Sequence, residues 1–214
     1  MWKKAKRMLR SNPPRKRTSN LGPARSTGEG TDSGGPLRSP AVFGLGNPGR
    51  RYERTRHNAG FLVADEIGRR NGGDWRKKKR SETAEINLGA LSATLVKPQT
   101  FMNDAGAALS GFLTEDLIVV HDDLDLEAGV VRVKLGGGAG GHNGLRSIIG
   151  RRGNEFIRVR IGIGRPPVGM TVTDYVLSRM DSAVKDAVPR AADAVEAVIE
   201  FGPEAAMNSF NVRD

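Results

Sequence analysis

The stretch Leu117-Ile118-Val119-Val120-His121-Asp122-Asp123 opens with four consecutive apolar residues and stops at a histidine and two carboxylates. A strand with one wet face alternates apolar and polar residues. A continuous apolar run suits a strand covered on both faces by helices, the usual setting of a parallel sheet. A strand is therefore expected over Leu117 to Val120, ending directly at His121-Asp122-Asp123.

Working outward, Ala41 to Leu45 reads as a second short apolar strand, entering a Gly-Asn-Pro-Gly turn. Asn58 suits the cap of a helix carrying Phe61, Leu62, Ala64 and Ile67 and ending at Arg69-Arg70. Trp75 to Arg80 reads as a solvated basic loop. Glu82 to Leu88 and Leu91 to Lys97 form a hairpin about Gly89-Ala90, and a helix is expected from Asn103 to Phe112. Val130 to Leu135 is a strand, followed by the glycine run 136–141 and a helix from His142 to Ile149. In Phe156 to Ile163 the apolar residues Ile157, Val159, Ile161 and Ile163 share one face, with Arg158 and Arg160 on the other. Helices follow near Val172 to Leu177 and Ser182 to Phe201, with Pro189 expected to kink or interrupt the second. Strands interleaved with helices predict a single three-layer α/β/α domain with a mixed, mostly parallel central sheet. Ligands of such folds bind outside the carboxyl ends of the parallel strands, where Asn47 and Asp122 fall.

The chain has 214 residues, 37% hydrophobic residues, no cysteine and a formal charge of +10. Roughly 170 residues of patterned sequence suit one domain. The lack of cysteine excludes disulfides, thiolate chemistry and cysteine-bound metal centres. No apolar run approaches the ~20 residues of a membrane span. Residues 1–40 hold ten Lys/Arg against Glu29 and Asp32, a net +8 that leaves +2 for residues 41–214. That segment, rich in Ser, Pro, Gly and Arg, is expected to be a disordered basic extension. A loose leader, an auxiliary nucleic-acid contact and an organellar targeting segment all fit its composition.

The chain's three histidines are each followed by a short polar residue: His57-Asn58, His121-Asp122 and His142-Asn143. An imidazole near pKa 6.5 can take a proton from water at neutral pH. His57, on the loop after Gly-Asn-Pro-Gly, is the candidate base, and a strand-end carboxylate such as Asp122 would fix its tautomer. Asp123 and Asp125 compete for that role, and His121 with the three aspartates would also suit a divalent cation in a phosphoesterase. Asn47, Asn103 and Asn143 offer amides that can grip a carbonyl and an N–H together, although each also suits a turn or cap. His142 reads as structural, at a helix start, and His121 as core or indirect support. Phe101 and Met102 suit a groove wall or the core. Lys134 and Arg160, with Arg132 and Arg158 on matching strand faces, are candidates for phosphate contact. There is no Gly-x-Ser-x-Gly elbow, and the glycine run lacks the Gly-Lys-Ser/Thr ending of a P-loop.

Five motifs then stand in one order: Gly44-Leu45-Gly46-Asn47-Pro48-Gly49 with Tyr52, Thr55 to Gly60, Lys97 to Asn103, His121 to Asp125, and Gly136 to Gly144. With the closing Glu204 to Asn211, this array resembles the bacterial peptidyl-tRNA hydrolase family over about residues 41 to 212. The resemblance implies a 41–214 catalytic domain that cleaves the ester between a peptide and the 3′ end of tRNA, recycling tRNA from prematurely ended translation. It implies His57 as general base, Asp122 as its partner, and Asn47 as the residue discriminating blocked from free α-amino groups. Asn103 and Asn143 would bind the peptide and 3′-terminal portion, with Met102 beside them. Tyr52 and Phe101 would contact the tRNA end, and Lys134 and Arg160 a 5′-phosphate. It further implies no metal or organic cofactor, a partner limited to the CCA end and acceptor stem of peptidyl-tRNA, no membrane or obligate protein partner, a monomer, and a cytoplasmic location. Some family-like proteins of plant organelles act in RNA splicing instead, which keeps a non-hydrolytic RNA-binding reading open.

Overall fold

The computed structural model describes residues 35–37, 39–110, 112 and 116–212. Among the described residues, seven strands form one sheet: β1 (Ala41–Gly44), β2 (Arg76–Lys77), β3 (Ser81–Leu88), β4 (Leu91–Pro98), β5 (Leu117–Asp123), β6 (Val131–Leu135) and β7 (Ile157–Gly162), in the order β2-β3-β4-β1-β5-β7-β6. The central four, β4, β1, β5 and β7, are mutually parallel. Antiparallel pairs, β2–β3–β4 on one side and β6 on β7, complete the edges. The helices are α1 (Ala59–Arg70), α2 (Asn143–Arg152), α3 (Val172–Leu177), α4 (Ser182–Phe201) and α5 (Pro203–Phe210), joined by 3₁₀ segments at Arg56–Asn58 and Met102–Leu109.

Alternation along the central strands feeds two cores. Val42, Ile118 and Val120 pack with Val63, Ile67, Val195 and Val198 of α1 and α4. Phe43, Leu117 and Val119 pack on the opposite face with Met102, Leu145 and Ile148. Each such side chain withdrawn from water contributes about 1.5–3 kcal/mol. This double burial is why the Leu117–Val120 run carries no polar residue, and it makes the fold the expected α/β/α sandwich.

Several local expectations are corrected. The strand does not stop at Val120: it pairs with β7 through His121, Asp122 and Asp123, so the polar residues inherit the strand's alternation. Trp75–Arg80 is not wholly loop, because Arg76 and Lys77 pair with Thr83 and Glu82. The segment expected as a helix from Asn103 to Phe112 is instead 3₁₀, from Met102 to Leu109, and is broken at Asp104. Gly106 in that segment lies so close to α2 that a Cβ would sit 2.4 Å from the Ser147 carbonyl oxygen. Pro189 does not interrupt α4, which is continuous over twenty residues. One missing backbone donor is outweighed by a face that buries Ala191, Ala192, Ala194, Val195 and Val198 completely. The helix α5, after Gly202, carries no sequence expectation of its own.

The expected disorder over residues 1–40 falls outside the described residues except at 35–37, 39 and 40. There, Leu37 N donates to Ile199 O at 3.1 Å and Thr94 N to Pro40 O at 3.0 Å. Among the described residues, no helix is long and apolar enough to cross a membrane.

Candidate active site

The carboxyl ends of β1 and β5 are pressed against the start of α1 at glycine contacts. A Cβ on Gly44 would lie 2.3 Å from the Gly60 carbonyl oxygen, and one on Gly60 would lie 2.4 Å from both Leu45 N and Val120 O. That approach brings the 3₁₀ turn Arg56–Asn58 beside the end of β5. Arg56 anchors the turn from the far side, donating to the Arg179 carbonyl at 2.8 Å and to Asp181 at 3.1 Å while lying over the Tyr175 ring. Asn58 stands at the cap position of α1 as expected, but its side chain makes no capping hydrogen bond. Its amide instead forms a two-point bridge to the Asn47 backbone, accepting from N at 2.9 Å and donating to O at 3.0 Å.

Asp122 is 3% exposed and lies between two imidazoles. His57 Nδ1 is 3.0 Å from both of its carboxylate oxygens. His142 Nε2 is 3.1 Å from Oδ1. The tautomers follow from the remaining partners. His142 Nδ1 accepts from the N–H groups of Gly144 and Leu145 as the cap of α2, so its proton is on Nε2 and points at Asp122. His57 donates through Nδ1, which leaves its Nε2 with an unshared lone pair. Burial opposes a charge on His57, but the Asp122 charge and hydrogen bond outweigh it, so the pKa of His57 lies above 6.5. Burial likewise opposes ionisation of Asp122, and is overcome by the His57 and His142 interactions, which hold it well below the carboxylate range. His121 donates through Nδ1 to the Asp122 carbonyl at 2.7 Å; burial, then His142, push its pKa down. It is a neutral strut under the carboxylate's backbone, and its Nε2 finds no partner among the described residues.

Alternation separates the competing aspartates. Asp123 turns to Arg160 Nε at 2.7 Å and accepts from Asp125 N at 2.9 Å, while Asp125 pairs with Arg165. The three aspartates of the expected cation set are therefore already committed to other partners. His57, Asp122 and His142 each offer a ligand atom, all within 4.8 Å of one another. Those atoms are directly hydrogen-bonded at 3.0–3.1 Å. The Asp122-facing nitrogens carry protons that a cation would have to displace.

A cavity of about 610 Å³ opens over this cluster, lined by Asn47, His57, Phe101, Met102, Asn103, Asp122, Lys134, Asn143 and Arg160, and closed on one side by Val172 and Val176 of α3. Tyr52 does not line it; its ring packs edge-on against Phe101 outside the rim, centroids 6.5 Å apart. Asn47 is buried, and its Oδ1 accepts from Met102 N at 2.8 Å, leaving the NH₂ group for a ligand. Asn143 uses Oδ1 on Arg146 at 2.6 Å and likewise presents its NH₂. Asn103 is exposed on the wall. Of the basic strand residues, Lys134, Arg158 and Arg160 line the cavity. Arg158 is buried, donates to the Gly137 and Gly138 carbonyls, and so holds the glycine loop. Arg132 turns away to the Phe210 carbonyl at 3.1 Å.

Residues 41–214 match the family described as peptidyl-tRNA hydrolase. The chain belongs to the peptidyl-tRNA hydrolase family. The peptidyl-tRNA hydrolase of Rubrobacter xylanophilus is 69% identical over 171 residues, covering 80% of this chain and 99% of that protein. That of Mycobacteroides abscessus is 47% identical over 180 residues, covering 78% and 92%. The crystal structure of peptidyl-tRNA hydrolase from Acinetobacter baumannii matches with a TM-score of 0.73 and 33% identity, over 82% of this chain and 96% of that one. His142 is the site member that motif reading sets aside. Its position after the glycine run reads as a helix cap, which it is, but a ring with one nitrogen capping has the other free to serve Asp122.

Proposed function

We propose that this member of the peptidyl-tRNA hydrolase family cleaves the ester between the peptide and the 3′-terminal ribose of tRNA, with His57 as general base. The observation that carries the reading is the fixed tautomer of His57. Its Nδ1–H is held by a buried carboxylate, and its Nε2 lone pair is left for water. His57 Nε2 takes a proton from water, the hydroxide oxygen bonds to the ester carbonyl carbon, and the carbonyl becomes an oxyanion. Collapse breaks the bond to the ribose oxygen, which leaves with the proton held on His57. Asp122 orients the ring and stabilises the imidazolium without itself taking the proton.

The NH₂ groups of Asn47, Asn103 and Asn143 supply donors to the substrate carbonyls and the oxyanion. In this reading Asn47 senses the blocked α-amino group, Met102 and Phe101 form the apolar wall, and Phe101 with Tyr52 receives the tRNA end. Lys134 and Arg160 meet a phosphate of the acceptor stem near the CCA end. Residues 41–214 act as one catalytic unit, a cytoplasmic monomer that needs neither metal nor organic cofactor, and residues 1–40 form a basic extension.

The test is hydrolysis of N-acetylaminoacyl-tRNA in EDTA by the wild type and by folded His57→Ala. The expected result is full wild-type turnover in chelator and loss of roughly 10²–10⁴-fold in the variant at unchanged tRNA binding. Turnover abolished by EDTA, or retained by His57→Ala, would remove His57 as the base. Tight tRNA binding with no wild-type turnover would favour the RNA-binding alternative.

A further inference from the structure

Arg76-Lys77-Lys78-Lys79-Arg80 is a run of five basic residues, all exposed, that the proposed reaction does not use. Unlike a loose tail, it is fixed in place. Arg76 and Lys77 pair with β3, Lys78 N donates to Ser81 O at 2.7 Å, and Arg80 O accepts from Gln99 N at 2.8 Å. Ser81 stands opposite Pro98 in the β3–β4 ladder, so the run sits at the carboxyl end of the parallel strands, on the same end of the sheet as the cavity. Gln99 is two residues from the rim residue Phe101.

Most of this charge is also uncompensated among the described residues. Asp65 and Glu82 are drawn to Lys97, at 2.7 and 3.3 Å. Asp74 reaches only Arg76, at 3.6 Å. Among the described residues, Lys77, Lys78, Lys79 and Arg80 have no carboxylate partner. Lys78, Lys79 and Arg80 line one wall of a groove of about 390 Å³, with Ala107, Ala108 and Phe112 opposite. The 3₁₀ segment Met102–Leu109 connects the two cavities: Met102 and Asn103 line the first, Ala107 and Ala108 the second. At ~2 Å rise per residue, the groove lies at most about 8–12 Å along that segment from the first cavity. That is too far for the ester or its terminal sugar, but on the path of an attached polyanion.

We propose that Lys78, Lys79 and Arg80 form a second RNA-backbone contact for the tRNA body, across the cavity mouth from Lys134 and Arg160. The inference rests on the proposed function, which supplies an RNA of the right charge held at the neighbouring cavity. Lys134 and Arg160 lie on the β7–β6 side of the sheet and the run on the β2–β3 side, so a duplex laid over the mouth meets cations at both margins. Fixed side chains on phosphates strengthen binding without reading sequence, and they release counterions as they do so.

The test compares the wild type, Lys78→Gln/Lys79→Gln/Arg80→Gln, and the charge-retaining Lys78→Arg/Lys79→Arg. Each is given full-length N-acetylaminoacyl-tRNA and N-acetylaminoacyl-adenosine, and binding of deacylated tRNA is followed by anisotropy across a salt series. The glutamine variant is expected to lose about tenfold in tRNA affinity, with the slope of log affinity against log salt shallower by about 3. Its KM for full-length substrate should rise in step, with kcat unchanged, and the adenosine ester should be hydrolysed as by the wild type. The arginine variant should behave as wild type. Unchanged tRNA affinity and salt slope would overturn the proposal, as would an equal loss on the adenosine ester. Loss of binding to anionic vesicles with no change for tRNA would assign the run to a membrane surface and also overturn it. If the wild type hydrolyses neither substrate, the proposed function fails, while the anisotropy series still decides the RNA contact.

Discussion

Asp122 turns inward to two imidazoles, whereas Asp123, one residue further along β5, turns to the Arg160 guanidinium. Both carboxylates are held below their ordinary range, for different reasons. Asp122 is fully enclosed, and burial is overcome by His57 and His142. Asp123 is less enclosed; burial is overcome by the Arg160 hydrogen bond, aided by Asp125 N. A carboxylate facing titratable rings fixes which nitrogen carries a proton, and so controls proton transfer. A carboxylate facing a permanently charged guanidinium has no proton to place and only positions a cation. The pleat of one strand thus separates the proton-handling side of the cavity from its anion-binding side.

Asp122→Asn is the strongest test of that division. The two interactions that raise the pKa of His57 both come from Asp122, while burial lowers it. His57 acts as a base only when neutral, so the wild-type rate should fall on the acid side with a midpoint above 6.5. In Asp122→Asn that acid limb should move to lower pH, since burial then acts without the opposing charge. Above both midpoints turnover should still fall by roughly 10²–10⁴-fold, because the imidazolium formed in the reaction loses its counter-charge. The pH profile of single-turnover hydrolysis measures both effects. An acid limb that stays in place would mean that the observed base is not His57.

Asn103→Ala should have a smaller effect on rate and almost none on folding. Asn103 is exposed, outside both cores, and removal of one preorganised donor costs ~3 kcal/mol, or about 10²-fold in rate. Urea unfolding alongside kcat makes the separation: a midpoint lowered along with the rate would place Asn103 among the residues that hold the wall together.

The same division explains what is legible in the sequence. Leu117–Val120 announces a strand covered on both faces because four consecutive apolar residues fit no half-wet element. Val172–Leu177 and Ser182–Phe201 are readable as helices to the residue. The choice of Asp122 over Asp123 is not, since it depends on where the strand ends, and β5 continues through both. His142 escapes notice because a cap satisfies one ring nitrogen and sequence says nothing of the other. Arg158 and Arg160 share a strand face and both line the cavity, yet one is held by the glycine loop and the other by Asp123. The 3₁₀ segment Met102–Leu109 is packed through Gly106 against α2, a contact between segments about forty residues apart that no local pattern encodes.

Asp123→Asn should have the least effect on catalysis, and it is the control for Asp122→Asn. The substitution removes the charge paired with Arg160 but keeps an oxygen within reach, and it leaves every hydrogen bond from His57 and His142 in place. Arg160 then faces the cavity with less of its charge offset, so an anionic substrate should bind somewhat more tightly, by less than about tenfold, and the gain should fade as salt is raised. The acid limb should not move, because Asp123 is not among the groups that set the pKa of His57. Measured kcat, KM and acid midpoint for the two asparagine variants side by side would show two neighbouring carboxylates acting on different parameters. If Asp123→Asn instead slowed turnover by roughly a hundredfold or more, the loss expected for a group that takes part in proton transfer, the guanidinium side and the imidazole side would act as one unit. The separation along the pleat of β5 would then not hold.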